Sequence, residues 1–128
     1  MKHLIICREY PPAPAGGIGT YADNVSRLLV AAGETVHVIA QRWRGAEKPL
    51  EEYLQGKLVV HRLPFTHWKS LFGAKASPGM QSETARDLFK SAFPPLSFSW
   101  QASLLAERLI ETEGIDTVEA QDYEAPLY

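Results

Sequence analysis

The chain has 128 residues, of which 45% are hydrophobic and 22% are charged, and its formal net charge is −2. This length suits one domain with a hydrophobic core, and the near-neutral charge gives no electrostatic basis for nucleic-acid binding. The one cysteine, Cys7, excludes an internal disulfide, in agreement with a reducing compartment. The apolar N-terminal run is shorter than a signal peptide, and no run approaches the about 18 residues of a membrane span. We therefore expect any membrane contact to be peripheral.

The first predicted unit is a strand, a loop, a helix and a second strand. The apolar run His3–Cys7 predicts a buried strand. Apolar residues then recur at helical spacing, with Thr20 as the predicted N-cap and Gly33 as the left-handed residue that ends the helix. Val36–Ala40 predicts the second strand. Such a crossover is right-handed and joins parallel strands, so the loop lies at the carboxyl end of the first strand, where open α/β sheets bind ligands.

The rest of the chain continues the alternation of strands and helices. The polar segment Gln41–Gly56 predicts a surface excursion with a helical turn near Pro49–Leu54. The later predicted elements are a third strand at Leu58–Leu63, helices at Gln81–Ala92 and Ser97–Thr112, and a fourth strand at Ile115–Ala120. The first of these helices is expected to end at Phe93, before the pair Pro94-Pro95.

This alternation predicts a Rossmann-like, doubly wound parallel sheet with helices on both faces and the strand order 3-2-1-4. Such a sheet usually continues past its fourth strand, because an uncovered edge and a bare face are liabilities. Residues 1–128 are therefore expected to be the N-terminal part of a larger protein.

Three glycines, Gly16, Gly17 and Gly19, lie against the start of the first predicted helix. The free N–H groups and the dipole of a helix N-terminus favour an anion such as a phosphate. A residue without a Cβ also leaves room for that anion to approach. The glycine loop is therefore the strongest functional signal in the chain.

The sequence resembles the N-terminal domain of family 4 glycosyltransferases of the GT-B architecture. The resemblance is carried by Glu9–Pro12, Gly16–Gly19 with the helix to Gly33, Glu34–Ile39 and Val118–Tyr123. Such enzymes transfer a sugar, with retention, from a nucleotide-sugar donor to an acceptor in a cleft between two Rossmann-like domains. The N-terminal domain mainly binds the acceptor, and the second domain carries most donor contacts. The resemblance therefore implies that residues 1–128 are the acceptor side, without the donor-binding domain, and are inactive alone.

The resemblance also implies roles for particular residues. Gly16 and Gly17 would bind the donor diphosphate; the alternative is a turn that lets helix and sheet pack closely. The implied acceptor-binding residues are Glu9, Tyr10, Gln121, Asp122 and Tyr123. Glu9 and Asp122 follow strands that should be neighbours, and either could take a proton from the attacking oxygen. The alternative for the acids is solvated loop carboxylates, and for the tyrosines packing over the loop. Many relatives have a histidine where this chain has Gln121.

The implied donor is UDP- or GDP-linked, and the implied acceptor is a glycan, a lipid-linked molecule or a small molecule. No metal is expected, because no pair among the four histidines has ligand spacing. The resemblance implies no cofactor besides the nucleotide-sugar substrate. The implied location is cytoplasmic. Phe65–Lys75 combines apolar rings with cations, which is typical of segments that contact a membrane surface. The alternative for this segment is a lid that packs on the helix at Ser97.

Two other functions remain open on the sequence. Gly17–Ala22 also fits the G-x-G-x-x-A dinucleotide fingerprint, and Arg42 would favour a 2′-phosphate, so an NADP-binding oxidoreductase domain is one alternative. Against it, Arg8–Gly16 separates the strand from the fingerprint, and no acid stands about 20 residues further on. The other alternative is a non-catalytic sugar- or nucleotide-binding domain.

Overall fold

The computed structural model describes residues 1–13, 17–64 and 83–120, and for residues 83–96 it describes the backbone alone. The elements of the described chain are, in order, β1 (Lys2–Ile6), α1 (Gly17–Ala31), β2 (Thr35–Gln41), β3 (Leu50–Tyr53), β4 (Leu58–Leu63), α2 (Glu83–Glu113) and β5 (Thr117–Ala120). The strands form one sheet in the order β3-β4-β2-β1-β5. In it β4, β2, β1 and β5 run parallel, and β3 is antiparallel to β4.

The structure is an α/β fold with a mostly parallel sheet, compatible with the Rossmann-like fold that the sequence predicted. The predicted strand order is confirmed, because the four predicted strands are β1, β2, β4 and β5. Alternate residues of β1 point to opposite faces of the sheet: Ile5 packs in the core with α1, whereas Leu4 and Ile6 pack with α2. Burial on both faces explains why β1 and β2 are mostly apolar runs in the sequence.

The start of α1 differs from the prediction, and its end agrees with it. The helix begins at Gly17, so Thr20 lies inside its first turn and its predicted role as N-cap is wrong. Glycine costs about 1 kcal/mol in a helix interior, which is why the sequence rule placed the start too late. At the other end, Gly33 has a φ of +91°. Its N–H donates to the Val30 carbonyl at 2.9 Å, as a Schellman cap requires.

The prediction of a helical turn near Pro49–Leu54 is wrong, because Leu50–Tyr53 forms β3. This strand pairs antiparallel with β4 along its whole length, with Glu51 opposite Val60. Its side chains are largely exposed, so it lacks the apolar alternation by which a strand is predicted. This position lets the Glu51 carboxylate reach Arg62 of β4, and the contact matters for the site.

The predicted break at Phe93 is also wrong, because α2 runs continuously from Glu83 to Glu113. A proline in a helix interior costs about 3 kcal/mol or more, and the pair Pro94-Pro95 lies inside this helix. Packing beyond the prolines offsets that cost, since the side chains of α2 cover Leu4, Ile6 and Ile39 of the sheet. The buried apolar residues of α2 are Phe98, Ala102, Ala106 and Leu109.

Candidate functional site

The carboxyl ends of β1 and β5 form the topological switch point of the sheet. From β1 the chain passes through α1 to β2, and from β4 it passes through α2, on the other face, to β5. The two strands are in register here, with Ile6 opposite Ala120. In open α/β sheets, ligands bind in the crevice outside such strand ends. This edge is therefore the candidate functional site.

Gly17 is the first residue of α1 and is exposed beside this crevice. A Cβ built on Gly17 would meet no described atom within 4 Å. The described part of the protein therefore does not itself require glycine at this position. The first N–H groups of a helix lack partners within it, so they suit an anion. Gly16 lies outside the described residues.

Tyr10 is buried beneath the start of the loop between β1 and α1, with 3% of its surface exposed. Its hydroxyl donates a hydrogen bond of 3.0 Å to Asp23 of α1. Burial, reinforced by the Asp23 carboxylate, raises the pKa of Tyr10 above its ordinary value. The ring belongs to the core that includes Ile5 and Val38. This position matches the packing role for Tyr10, and its contact with a sugar stays a prediction.

Arg62 of β4 is buried against the same loop, with 3% of its surface exposed. Its Nη1 donates to the carbonyls of Tyr10, at 3.4 Å, and Gln41, at 3.1 Å. Its Nη2 donates to the Pro11 carbonyl, and its Nε donates to Glu51 of β3. The guanidinium carbon also lies 5.9 Å from the centroid of the Tyr10 ring. One side chain thus joins the loop after β1 to two other strands, and the sequence reasoning did not identify it.

Arg8 and Trp43 close the carboxyl ends of β1 and β2 together. The Arg8 Nε donates to Gln41 Oε1 at 2.9 Å, and its guanidinium lies 5.6 Å from the centroid of the Trp43 ring. The Trp43 indole N–H in turn donates to the Arg8 carbonyl at 2.9 Å. Glu9, the next residue, is partly exposed in the turn that follows β1. Glu9 thus lies in the turn at the carboxyl end of β1, and its part in a binding site stays a prediction.

Cys7 lies just before this turn and is buried, with 1% of its surface exposed. Burial raises the pKa of the Cys7 thiol to about 11. A thiolate is the form of cysteine that acts as a nucleophile, so this side chain is a neutral member of the core at ordinary pH.

A second carboxylate lies at the same edge, on the face of the sheet that α1 covers. Glu119 of β5 stands opposite Ile5 in the register and accepts a hydrogen bond of 3.1 Å from the Tyr21 hydroxyl. The bond to the carboxylate raises the pKa of Tyr21. Tyr21 is 49% exposed. A phenol and a carboxylate thus meet beside the start of α1.

Gln121, Asp122 and Tyr123 lie outside the described residues, so the convergence of Glu9 with Asp122 stays a prediction. The same holds for the segment Phe65–Lys75 and its contact with a membrane. Of the helices described, none has the length and apolarity that a membrane crossing needs.

On the opposite face of the sheet, His37 of β2 and His61 of β4 form a hydrogen-bonded pair. Nδ1 of His37 lies 3.0 Å from Nε2 of His61, and the ring centroids are 5.3 Å apart. Burial lowers the pKa of both rings, that of His61 to about 4. The rings are therefore neutral at pH 7, and the N–H of one can donate to the other. In the described part of the chain, no three His, Cys, Asp or Glu side chains are grouped as metal ligands.

The fold and the crevice define a Rossmann-like α/β domain with a candidate ligand site at its switch point. Comparison of the chain with protein-family models, with curated proteins and with solved structures found no match.

Proposed function

We propose that the chain is the acceptor-side domain of a retaining glycosyltransferase of family 4, with the GT-B architecture. The observation that carries this proposal is the block Glu9–Gly33, whose sequence resembles that family and whose helix begins at Gly17 beside the switch point. Strand order and helix placement on both faces support the doubly wound sheet of such a domain. The donor is a UDP- or GDP-linked sugar, most of whose contacts belong to a second domain.

In this proposal the start of α1 stabilises the leaving group. Retaining transfer breaks the bond between the anomeric carbon and the diphosphate oxygen, and negative charge grows on the departing diphosphate. Backbone N–H groups aimed at that charge lower the barrier because they require no reorganisation during the reaction. Gly16 and Gly17 leave room for the diphosphate to approach these N–H groups, and the open space at Gly17 supports this role.

The acceptor hydroxyl forms the new bond to the anomeric carbon, on the face from which the diphosphate leaves. Its proton passes to a base, for which Glu9 and Asp122 are the proposed residues. Gln121 and Tyr123, with Tyr10 beneath the loop, complete the proposed acceptor side. If the acceptor is lipid-linked, Phe65–Lys75 would hold the domain at the inner face of the membrane.

An NADP-binding domain is less well supported by the same geometry. In that fingerprint the first glycine lies in a tight turn directly after the strand, whereas here residues 7–16 separate β1 from α1. Arg42 does follow β2, where a 2′-phosphate would lie, but its Nε donates to the Arg62 carbonyl at 3.2 Å.

The test uses the full-length protein that the natural gene encodes. It is incubated with a panel of UDP- and GDP-sugars and candidate acceptors, and released nucleoside diphosphate and glycosylated product are measured. We expect one donor to be consumed, and we expect that donor to raise the melting temperature. A ligand at 100 times its Kd stabilises a protein by about 2.7 kcal/mol. Stabilisation by NADP, without stabilisation by any nucleotide sugar, would overturn the proposal.

A further inference from the structure

We propose that Arg62, together with Glu51, positions the loop between β1 and α1 for binding of the nucleotide sugar and the acceptor. The choice of ligand in this inference rests on the proposed function. The statement that Arg62 holds the loop rests on described contacts alone. Arg62 would act through the loop and would not touch the substrate, so it is a positioning residue.

The contacts of Arg62 explain why this position requires an arginine. A guanidinium carries five N–H donors in a planar fork, and here they reach acceptors on three segments. The acceptors are the carbonyls of Tyr10, Pro11 and Gln41 and the carboxylate of Glu51. A lysine ammonium is a compact point charge with three donors, so it cannot reproduce this spread of acceptors.

The loop is held from a second side through Tyr10. The Tyr10 ring lies near the Arg62 guanidinium, and its hydroxyl reaches Asp23 of α1 at 3.0 Å. Asp23 is also paired with Arg27 at 3.0 Å within the same helix. A continuous series of contacts thus runs from β4 through the loop to α1. Since a helix N-terminus binds an anion only where its N–H groups point at it, loss of Arg62 would misplace the proposed diphosphate site.

Glu51 gives the buried guanidinium its counter-charge. The Arg62 side chain is 1% exposed and the Glu51 side chain 17% exposed. Although burial would raise it, the hydrogen bonds from Tyr53 and Arg62 hold the pKa of Glu51 below its ordinary value. The Glu51 carboxylate is therefore ionised at neutral pH. The antiparallel strand β3 brings this carboxylate to Arg62, so β3 contributes to holding the loop.

A purely structural role is the alternative, because removing one partner of a buried ion pair destabilises any fold. Leu58→Ala is the matched control for that effect. Leu58 is fully buried on β4 in the same core, but it lies at the end of the strand remote from the loop. The variants to compare with it are Arg62→Met, Arg62→Lys and Glu51→Gln.

The experiment makes two kinds of measurement on each variant of the full-length protein. The first is the kinetics of transfer, which gives KM and kcat, with kcat corrected for the folded fraction. The second is hydrogen exchange of the backbone amides in residues 7–13, where the Tyr10 N–H donates to the Cys7 carbonyl at 3.3 Å. We expect Arg62→Met to raise KM about tenfold or more, because a misplaced loop would bind the donor and the acceptor less tightly, and tenfold corresponds to about 1.4 kcal/mol of binding free energy. Exchange should rise in residues 7–13 more than in β1 and β2, and Arg62→Lys should restore neither quantity fully.

Two results would overturn the inference. One is an Arg62→Met variant with the same exchange pattern and the same KM as Leu58→Ala. The other is full recovery of both quantities in Arg62→Lys, which would show that charge alone is needed. If the wild-type protein transfers no sugar, the proposed function fails, but the exchange pattern still decides whether Arg62 holds the loop. Should Arg62→Met not fold, Glu51→Gln and Arg62→Lys provide the same comparison with less disruption.

Discussion

The Tyr10 hydroxyl and the Asp23 carboxylate lie 3.0 Å apart, and their hydrogen bond joins the loop after β1 to α1. The bond is partly buried and involves a charged acceptor, so it should contribute more than an exposed bond of the same kind. The loop therefore has its own attachment to the helix, separate from the core contacts of the Tyr10 ring.

Tyr10→Phe should lower the free energy of unfolding by about 1–2 kcal/mol, because it removes this bond and keeps the ring. The matched control is Tyr21→Phe, which removes the exposed bond to Glu119. An exposed change of this kind should stay within about 0.5 kcal/mol. Urea denaturation of both variants makes the measurement. Equal losses of unfolding free energy in the two variants would show that the Tyr10–Asp23 bond stabilises the fold no more than an exposed bond does.

The histidine pair predicts loss of stability in acid. The pKa of His61 is about 4 in the folded protein and 6.5 ordinarily, so between these values the unfolded chain binds more protons. Stability conferred by the neutral pair is thus complete above pH 6.5 and is lost as the pH falls towards 4. After allowance for solvent screening, we expect a loss of about 1–2 kcal/mol.

His61→Gln tests this origin, because an amide can keep a hydrogen bond to His37 without titrating. The free energy of unfolding is measured by denaturant at intervals from pH 7.5 to pH 4.5. We expect a shallower dependence on pH in the variant, whatever its absolute stability. A slope identical to that of the wild type would assign the acid sensitivity to other groups.

Gly17→Val should cut turnover about tenfold or more, which corresponds to about 1.4 kcal/mol of barrier. The fold should be little affected, because a Cβ at Gly17 meets no described atom within 4 Å. Gly33→Val is the matched control, in which stability and not turnover should fall. The φ of +91° at Gly33 strains any side chain, so this variant should lose about 1–2 kcal/mol of stability and keep its turnover per folded molecule. Unchanged turnover in folded Gly17→Val protein would remove the diphosphate role.

The centre of the sheet was predictable because its two central strands, β1 and β2, are largely buried on both faces. Runs such as Leu4–Ile6 are therefore apolar throughout, and the crossover rules then fix the order of the strands. β3 escaped prediction because its side chains, such as Leu50 at 48% exposure, face solvent. α2 was divided wrongly at Pro94-Pro95 because the local cost of proline was visible in the sequence and the packing that offsets it was not.

The position of the site was predictable from the sequence, but the contacts made by the side chains around it were not. Topology alone places the ends of β1 and β5 together. Arg62 appears in the sequence as a charged strand residue, which usually means exposure. A signal was available, since Leu58, Val60 and Arg62 share one face of β4 by alternation. The His37–His61 pair depends on the register between β2 and β4, which the sequence does not state.

Residues 1–128 alone should release no nucleoside diphosphate from any nucleotide sugar. Transfer requires donor and acceptor to be held together, an effect worth up to about 7–11 kcal/mol, and cationic groups or N–H donors on the leaving diphosphate. Two basic side chains beside the crevice are already engaged, Arg8 with Gln41 and Trp43, and Arg62 with the loop carbonyls and Glu51. The proposed diphosphate contact in this part is therefore the start of α1, which supports weak nucleotide binding at most. The measurement is nucleoside diphosphate release by purified residues 1–128 with UDP- and GDP-sugars and acceptors. Turnover near a typical enzyme's ~10 per second would show that one domain suffices and that the proposed division of roles is wrong.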